Sequence, residues 1–376
     1  MIHTMEILKE LNFEEINAVF RKESALRDRF DKIIFRLKEQ KIERDVISVS
    51  IRHSEQEPCV TGWKQTRIVR VRINHSSYKY YMVIKIEPRV ILKEARTVEL
   101  FQSAPENVEE LKRMFAIYME RFIPDSTSDM RDLSKWRCNR IDYAVMFTFS
   151  NEQERDLFLM LTKRTSRFVR SERKRINGLP LKEQSTGEGN KSWKLIFYDK
   201  AKQIREVYHQ IPREVKENLL EEAAISIRYE IQFRRNKVRG IKKNMNLVNI
   251  IDFLDEDLSQ KYLLEQYGKS VGTGDFYSLS EARSMVMGSN YSEKKKKRFC
   301  DILELVANAK GIANAEYKYS NAAFDGKKIV KGCKKTFFNY CKELNKMGIN
   351  PVTIPVRKVK EFPKLENPIR QLTCLK

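Results

Sequence analysis

The sequence predicts an α+β fold: an antiparallel or mixed sheet with helices on one face, followed by a helical C-terminal region. Three observations carry this. Several stretches alternate polar and apolar residues with a period of two, as half-buried strands do. Amphipathic stretches with apolar residues at i, i+3 and i+4 lie between them. Beyond about residue 238 the two-residue period is lost and only helical patterns remain.

In chain order, residues 5–40 read as mostly helical, from the spacing in "MEILKELNFEEINAVF" and "DRFDKIIFRLKEQ". After Gly62 the period becomes two. "RIVRVRI" (67–73) and "YYMVIKIEP" (80–88), joined by the turn-rich "NHSSYK", predict a β-hairpin. "NVEELKRMFAIYMERFI" (107–123) is an amphipathic helix stopped by Pro124. "RIDYAVMF" (140–147) is a strand, and Ser150 with Gln153 suggests a capping box for the helix after it. A glycine-containing loop (Gly178, Gly187, Gly189) leads to the strand "SWKLIFYDK". A short helix near "EVKENLLEEAA" precedes the strand "ISIRYEIQFRR" (225–235). The expected organisation is a helical N-terminal extension (1–60), a central sheet domain (61–238) and a helical C-terminal domain ending in a proline-rich tail (239–376).

Charge narrows the function classes. The chain has 376 residues and a formal net charge of +22, from 73 Lys and Arg against 51 Asp and Glu. Such an excess points to a polyanionic partner, nucleic acid before acidic membrane. No stretch approaches the roughly 20 apolar residues of a membrane span. The six cysteines are scattered without a CxxC pair, so free thiols in a reducing compartment are expected and a structural zinc site is not. The four histidines, His3, His53, His75 and His209, are far apart in sequence. A bound metal would therefore rest on carboxylates.

Alternation sorts each strand into two faces. Ile225, Ile227, Tyr229, Ile231 and Phe233 share the core face of their strand, and Ser226, Arg228, Glu230, Gln232 and Arg234 the other. Ile141, Tyr143, Val145 and Phe147 point inward, opposite Arg140 and Asp142. In the hairpin, Lys85 and Glu87 point away from Met82, Ile84 and Ile86. Tyr198 falls with Lys194, Ile196 and Lys200, away from Trp193, Leu195 and Phe197. One polar face thus collects Asp142, Glu230, Glu87, Tyr198, Lys200, Lys85, Arg140 and Arg228. Such a face is commonly only a solvated set of cross-strand ion pairs. Alternatively, its carboxylates are hard oxygen ligands for Mg²⁺ or Mn²⁺, and its tyrosine is a nucleophile assisted by Lys200. The run Lys163, Arg164, Arg167, Arg170, Arg173, Lys174 and Arg175, with Phe168 inside it, adds a candidate DNA-binding surface. "KKKK" at 294–297 reads as a hydrated run entering a helix.

The order "RIDYAVMF", helix, "LIFYDKAKQI", "SIRYEIQFRR" resembles phage and plasmid rolling-circle replication initiators of the filamentous-phage gene II/X type. "YMVIKIEPRVIL", "LNKMGINPVTIP" and "LENPI" fit the same resemblance, which runs from about residue 65 to the end. It implies a nicking domain over 61–238 and site- and strand-specific nicking and rejoining of origin DNA. A 5′-phosphotyrosine forms and a 3′-OH primer is left. Tyr198 and Lys200 match the family's Tyr-x-Lys motif, and Asp142 and Glu230 match its acidic positions. Arg140, Arg228 and Lys200 would supply positive charge, and Glu87 joins the metal set from its strand face. The implied setting is the cytoplasm of a bacterial host, with origin DNA, host helicase and polymerase as partners and no membrane. The chain departs from the wider nuclease class in lacking a His-hydrophobe-His triplet. The rival expectation is a non-enzymatic DNA-binding replication or copy-control regulator. A recombinase or transposase using the same tyrosine chemistry is a third.

Overall fold

The computed structural model describes residues 1–40, 44–51, 62–74, 77–165, 185–207, 212–321 and 333–373. It opens with strand β1 (Ile2–Leu11), helices α1 (Phe13–Lys22) and α2 (Ala25–Glu39), and strands β2 (Val46–Ile51), β3 (Trp63–Arg72) and β4 (Tyr78–Ile86). Helices α3 (Pro88–Lys93), α4 (Pro105–Phe122) and α5 (Ser128–Arg131) lead to β5 (Arg137–Thr148) and α6 (Glu152–Thr165). Then come β6 (Ser185–Gly189), β7 (Trp193–Asp199), α7 (Lys200–Val207), α8 (Arg213–Ala223) and β8 (Ser226–Phe233). The rest is mostly helical: α9 (Arg235–Met245), α10 (Glu256–Ser270), the short β9 (Phe276–Tyr277), α11 (Leu279–Met287), α12 (Glu293–Asn308), α13 (Ile312–Asn321) and α14 (Lys334–Lys346). The α+β class, the antiparallel sheet and the helical C-terminal region agree with the sequence expectation.

The chain divides into two compact units. The first holds Met1–Ala144, Asn190–Trp193 and Glu230–Gln260. Its strands run β2-β3-β4-β1-β5, each pair antiparallel, with the C-terminal half of β8 beyond β5. The expected hairpin is β3–β4, with Ile68 opposite Met82. Helix α4 buries Leu111, Met114, Phe115, Tyr118, Met119 and Phe122, a stripe at helical spacing. Pro105 at its first position lacks only an N–H that would be unpaired there.

The N-terminus corrects one expectation. "MEILKEL" is not helical; it is the body of β1, with Ile7 opposite Ile84 of β4 and Met5 opposite Ile141 of β5. Helix begins only at Phe13, where Asn12 and Glu15 form a capping box. The stretch satisfies both periods locally, and a place between two strands decides the conformation.

The second unit holds Val145–Gly189, Lys194–Tyr229 and Lys261–Lys376. Its strands run β5-β8-β7-β6. Phe197 stacks on Tyr229 with ring centroids 4.6 Å apart, and Tyr267 meets Tyr229 edge-on at 5.6 Å. Helix α6 is capped by Asn151, which accepts from the Glu154 amide, while Glu154 reaches back to the Ser150 amide. The cap lies one residue beyond the Ser150–Gln153 pair that the sequence suggested.

The proline-rich segment is also no loose tail. Ile349, Val352 and Ile354 are buried, and residues 349 and 354 bridge Asp275 and Ser278 in parallel. A side chain at Gly274 would sit 2.4 Å from the Ile349 backbone, so glycine permits this approach. Buried Asn367 donates to the Gly272 and Gly274 carbonyls and accepts from the Tyr267 hydroxyl.

A second correction concerns the polar strand faces. All eight residues of β8 are buried, including Ser226, Arg228, Glu230 and Gln232. In β7, Leu195 to Asp199 are buried as well. Neither strand presents an open polar face, so its charged groups need partners inside the protein.

Candidate active-site residues

In the first unit, a row of opposed residues crosses three strands: Lys85 of β4, Glu6 of β1 and Arg140 of β5. Directly opposed residues of an antiparallel pair project to the same side, so this row lies on the polar face the sequence predicted. Glu6 accepts from Arg67 at 2.8 Å and from Asn139. Asp142, two residues beyond Arg140 and fully buried, forms a two-point ion pair with it: Nε to Oδ1 at 2.9 Å and Nη2 to Oδ2 at 2.5 Å.

The register of β1 on β5 shifts between Ile2 and Thr4, and His3 sits at this irregularity. Such a bulge re-aims a side chain. His3 Nδ1 lies 3.0 Å from Glu230 Oε2, and His3 Nε2 lies 3.4 Å from Glu87 Oε1. Glu87 follows the last residue of β4 and is the N-cap residue before Pro88, the first residue of α3. Its amide donates to the Gly62 carbonyl. Gly62 has φ +96°, and a side chain there would meet Ile91 at 2.7 Å. Lys64 Nζ stands 2.6 Å from Glu87 Oε1, and Arg96 Nη1 3.2 Å from Oε2.

These contacts set the charge states. Burial raises the pKa of Glu87, but the His3 hydrogen bond and the Lys64 charge outweigh it and hold the carboxyl well below its ordinary range. Asp142 goes the other way: burial pushes its pKa up, nearby Glu230 adds to this, and Arg140 offsets only part. Burial, followed by the charges of Arg140 and Lys64, lowers the pKa of Lys85.

Of the three expected metal ligands, Glu87 and Glu230 are bridged by His3 and Asp142 is paired with Arg140, so His3, Lys64, Arg96 and Arg140 already compensate their charge. Among the described residues, no group of three or more His, Cys, Asp or Glu side chains is placed to hold a metal ion. The residues present do not form a ready-made Mg²⁺ or Mn²⁺ site.

In the second unit, Tyr198 lies near the end of β7, opposite Ser185, and is 3% exposed. Lys200 does not continue the strand, so alternation does not place it beside Tyr198. It is the first residue of α7, 1% exposed, with its ammonium 2.8 Å from Gln203 Oε1. Between them, buried Asp199 accepts from the Lys202 amide at the start of α7. Its other oxygen lies 3.4 Å from both Arg155 and Lys202. Arg228 is buried, with Nε 3.2 Å from Met146 Sδ.

The rival tyrosines have other work. Tyr143 donates to the Phe253 carbonyl and Tyr229 to the Leu263 carbonyl, both from within the core. Tyr208 lies outside the described residues, as do Arg167, Phe168, Arg170, Arg173, Lys174 and Arg175 of the expected DNA-binding run. Lys163 and Arg164 occupy the last turn of α6 and are half-buried. Burial, then the charge of Arg357, lowers the pKa of Arg164.

Sequence reasoning missed His3, Lys64 and Arg96. The available signal was the alternation through "IHTMEI", which the helical reading of that segment hid.

Residues 103–253 match the family model for the N-terminal part of the phage replication-associated gene II protein. The match contains Asp142, Tyr198, Arg228 and Glu230 but neither His3 nor Glu87. No curated protein and no solved structure matches the chain. No helix among the described residues is long and apolar enough to cross a membrane.

Proposed function

We propose that this chain, whose residues 103–253 match the family model for the phage gene II replication-associated protein, is a rolling-circle initiator that nicks and rejoins origin DNA. The family match, which points to a replication-initiator role, is the observation that carries the reading. The nicking chemistry is our inference from the residues inside that match.

Tyr198 is the proposed nucleophile. Its hydroxyl oxygen attacks the scissile phosphorus and gives up its proton, an O–P bond forms, and the bond from phosphorus to the 3′ oxygen breaks. The leaving oxygen is protonated to the 3′-OH that primes synthesis. One phosphodiester is exchanged for another, so the reverse attack by a 3′-OH reseals the strand without a nucleotide cofactor. Because Tyr198 is buried, DNA binding must expose its hydroxyl for the attack to occur. Lys200 and Arg228 are the proposed assisting cations, and the buried Asp199–Arg155 pair anchors the strand-to-helix turn on which the tyrosine sits.

A Mg²⁺ or Mn²⁺ requirement is part of the proposal on chemical grounds, since a divalent ion offsets charge that develops on the phosphate. His3, Glu87, Glu230 and Asp142 are the groups the first unit offers, and they require rearrangement before they can converge on an ion. Origin DNA is the proposed substrate, host helicase and polymerase the proposed partners, and the bacterial cytoplasm the proposed setting.

The test is incubation of the protein and Mg²⁺ with supercoiled plasmid carrying its own origin. Open circles with protein attached to a 5′ end are expected. Nicking absent from every cognate origin would favour a DNA-binding copy-control regulator instead. The burial of Tyr198 and the ready compensation of the carboxylates are the observations on that side.

A further inference from the structure

We infer that helix α9 is a phosphate-binding surface for duplex DNA, an inference that rests on the replication-initiator reading. Between Glu230 and Asp252 the chain carries six Lys and Arg and no acidic residue: Arg234, Arg235, Lys237, Arg239, Lys242 and Lys243. The helix leaves β8 directly after the strand that holds Glu230, and Arg234 fixes the junction by donating its amide to the Ser192 carbonyl. Val238 and Ile241 are buried and turn the opposite side outward. Arg235, Arg239 and Lys243 are exposed and have no ion-pair partner among the described residues.

These three recur at i, i+4 and i+8, so they form one stripe about 12 Å long. Like charges at that spacing repel, and Arg235 also opposes the positive end of the helix dipole. A helix so charged, with no acid to relieve it, is matched by an external polyanion. Open space at Gly240, where a side chain would meet nothing within 4 Å, leaves the outer side accessible.

The other basic helix is different. In α12, Lys296 pairs with Glu293 at 2.9 Å, Lys295 lies 5.2 Å from the Tyr291 ring centre, and Asp301 and Glu304 follow. Its charge is partly compensated within the protein.

The experiment measures binding of the full chain to a fluorescently labelled DNA duplex of arbitrary sequence as a function of salt. Each phosphate neutralised contributes about 0.9 to the slope of log K against log salt. The triple substitution R235Q/R239Q/K243Q is therefore expected to make the slope shallower by about 2.7, and to weaken binding roughly tenfold or more near physiological salt. R239K alone should retain the wild-type slope, which separates loss of charge from loss of fold. The α12 substitution K294Q/K297Q/R298Q should leave the slope unchanged. An unchanged slope in the α9 variant, or a loss confined to the α12 variant, overturns the inference while leaving the initiator reading intact. No salt-dependent duplex binding by the wild-type chain would sink both.

Discussion

His3 Nδ1 lies 3.0 Å from Glu230 Oε2, joining two residues 227 positions apart. The other nitrogen of the ring lies 3.4 Å from Glu87 Oε1. One imidazole at the start of β1 therefore spans two carboxylates from distant parts of the chain. It lets two acidic side chains remain near each other in a buried setting, where each would otherwise raise the cost of ionising the other.

Replacing His3 should be felt in stability first. His3→Ala leaves Glu230 without its imidazole, while Glu87 keeps Lys64 and Arg96. A loss of about 1–3 kcal/mol is expected, the usual range for removing one hydrogen bond from a buried carboxylate. Urea denaturation with an unchanged slope would read it directly. A midpoint equal to that of wild type would mean that the bridge does not hold in solution.

Tyr198 and Asp199 are adjacent and should behave in opposite ways. Tyr198→Phe keeps the buried ring and removes one hydroxyl, so stability should change by no more than about 1.5 kcal/mol. The covalent protein–DNA product should vanish. Asp199→Ala removes a helix cap, worth about 1 kcal/mol, and a buried partner of Arg155, so a loss of roughly 3 kcal/mol or more is expected. Thermal melts of the two variants beside a denaturing-gel assay for the adduct distinguish chemistry from scaffold. Equal relaxation of plasmid by wild type and Tyr198→Phe would remove Tyr198 as the nucleophile.

Those two neighbours also show what could be read in advance. Tyr198 falls at the end of an apolar run, so its strand was legible from the two-residue period. Asp199 was legible only as a charge, because its partner Arg155 comes from α6 and no local spacing announces the pair. Lys200 escapes the two-residue period because β7 ends at Asp199 and α7 begins at Lys200, a change that the local alternation does not announce. At the other end, Met5, Leu8 and Ile7, Leu11 fit a helical stripe as well as a strand. Pairing with β4 and β5 settles the matter, and His3 became visible only with it. The tail hid its packing because the order around Asn350 and Asn367 comes from long-range carbonyl contacts, which composition does not encode.

Metal removal should separate activity from stability. The carboxylates of the first unit are already compensated by His3, Lys64, Arg96 and Arg140, so the fold has no unmet need for a cation. Chelation with EDTA is expected to stop nicking, with recovery on adding Mg²⁺ or Mn²⁺, and to leave the melting temperature of the DNA-free protein unchanged. A preformed site would respond differently: an ion at a hundred times its dissociation constant stabilises by about 2.7 kcal/mol. A clear rise in melting temperature on adding Mn²⁺ without DNA would show that the acidic residues converge on an ion unaided.

Glu87 and Asp142 predict opposite contributions to the acid limb of stability. The folded-state pKa of Glu87 is depressed, so its carboxylate contributes stability that is fully present above its unfolded value and lost as pH falls through the lowered folded value. Asp142 has a raised folded-state pKa, so ionising it costs stability at neutral pH, and that cost is relieved on acidification below its ordinary range. Glu87→Gln is expected to lower stability by roughly 1–3 kcal/mol at pH 7, since Lys64, Arg96 and His3 lose their common anion. The difference from wild type should narrow as pH falls below the ordinary glutamate range, because the unfolded wild-type chain then binds a proton that native Glu87, with its lowered pKa, does not. Asp142→Asn should show the reverse trend, its stability relative to wild type declining as pH falls. Urea midpoints of the three proteins at neutral and acidic pH test both signs at once, and parallel pH profiles would refute the assignment of either shift.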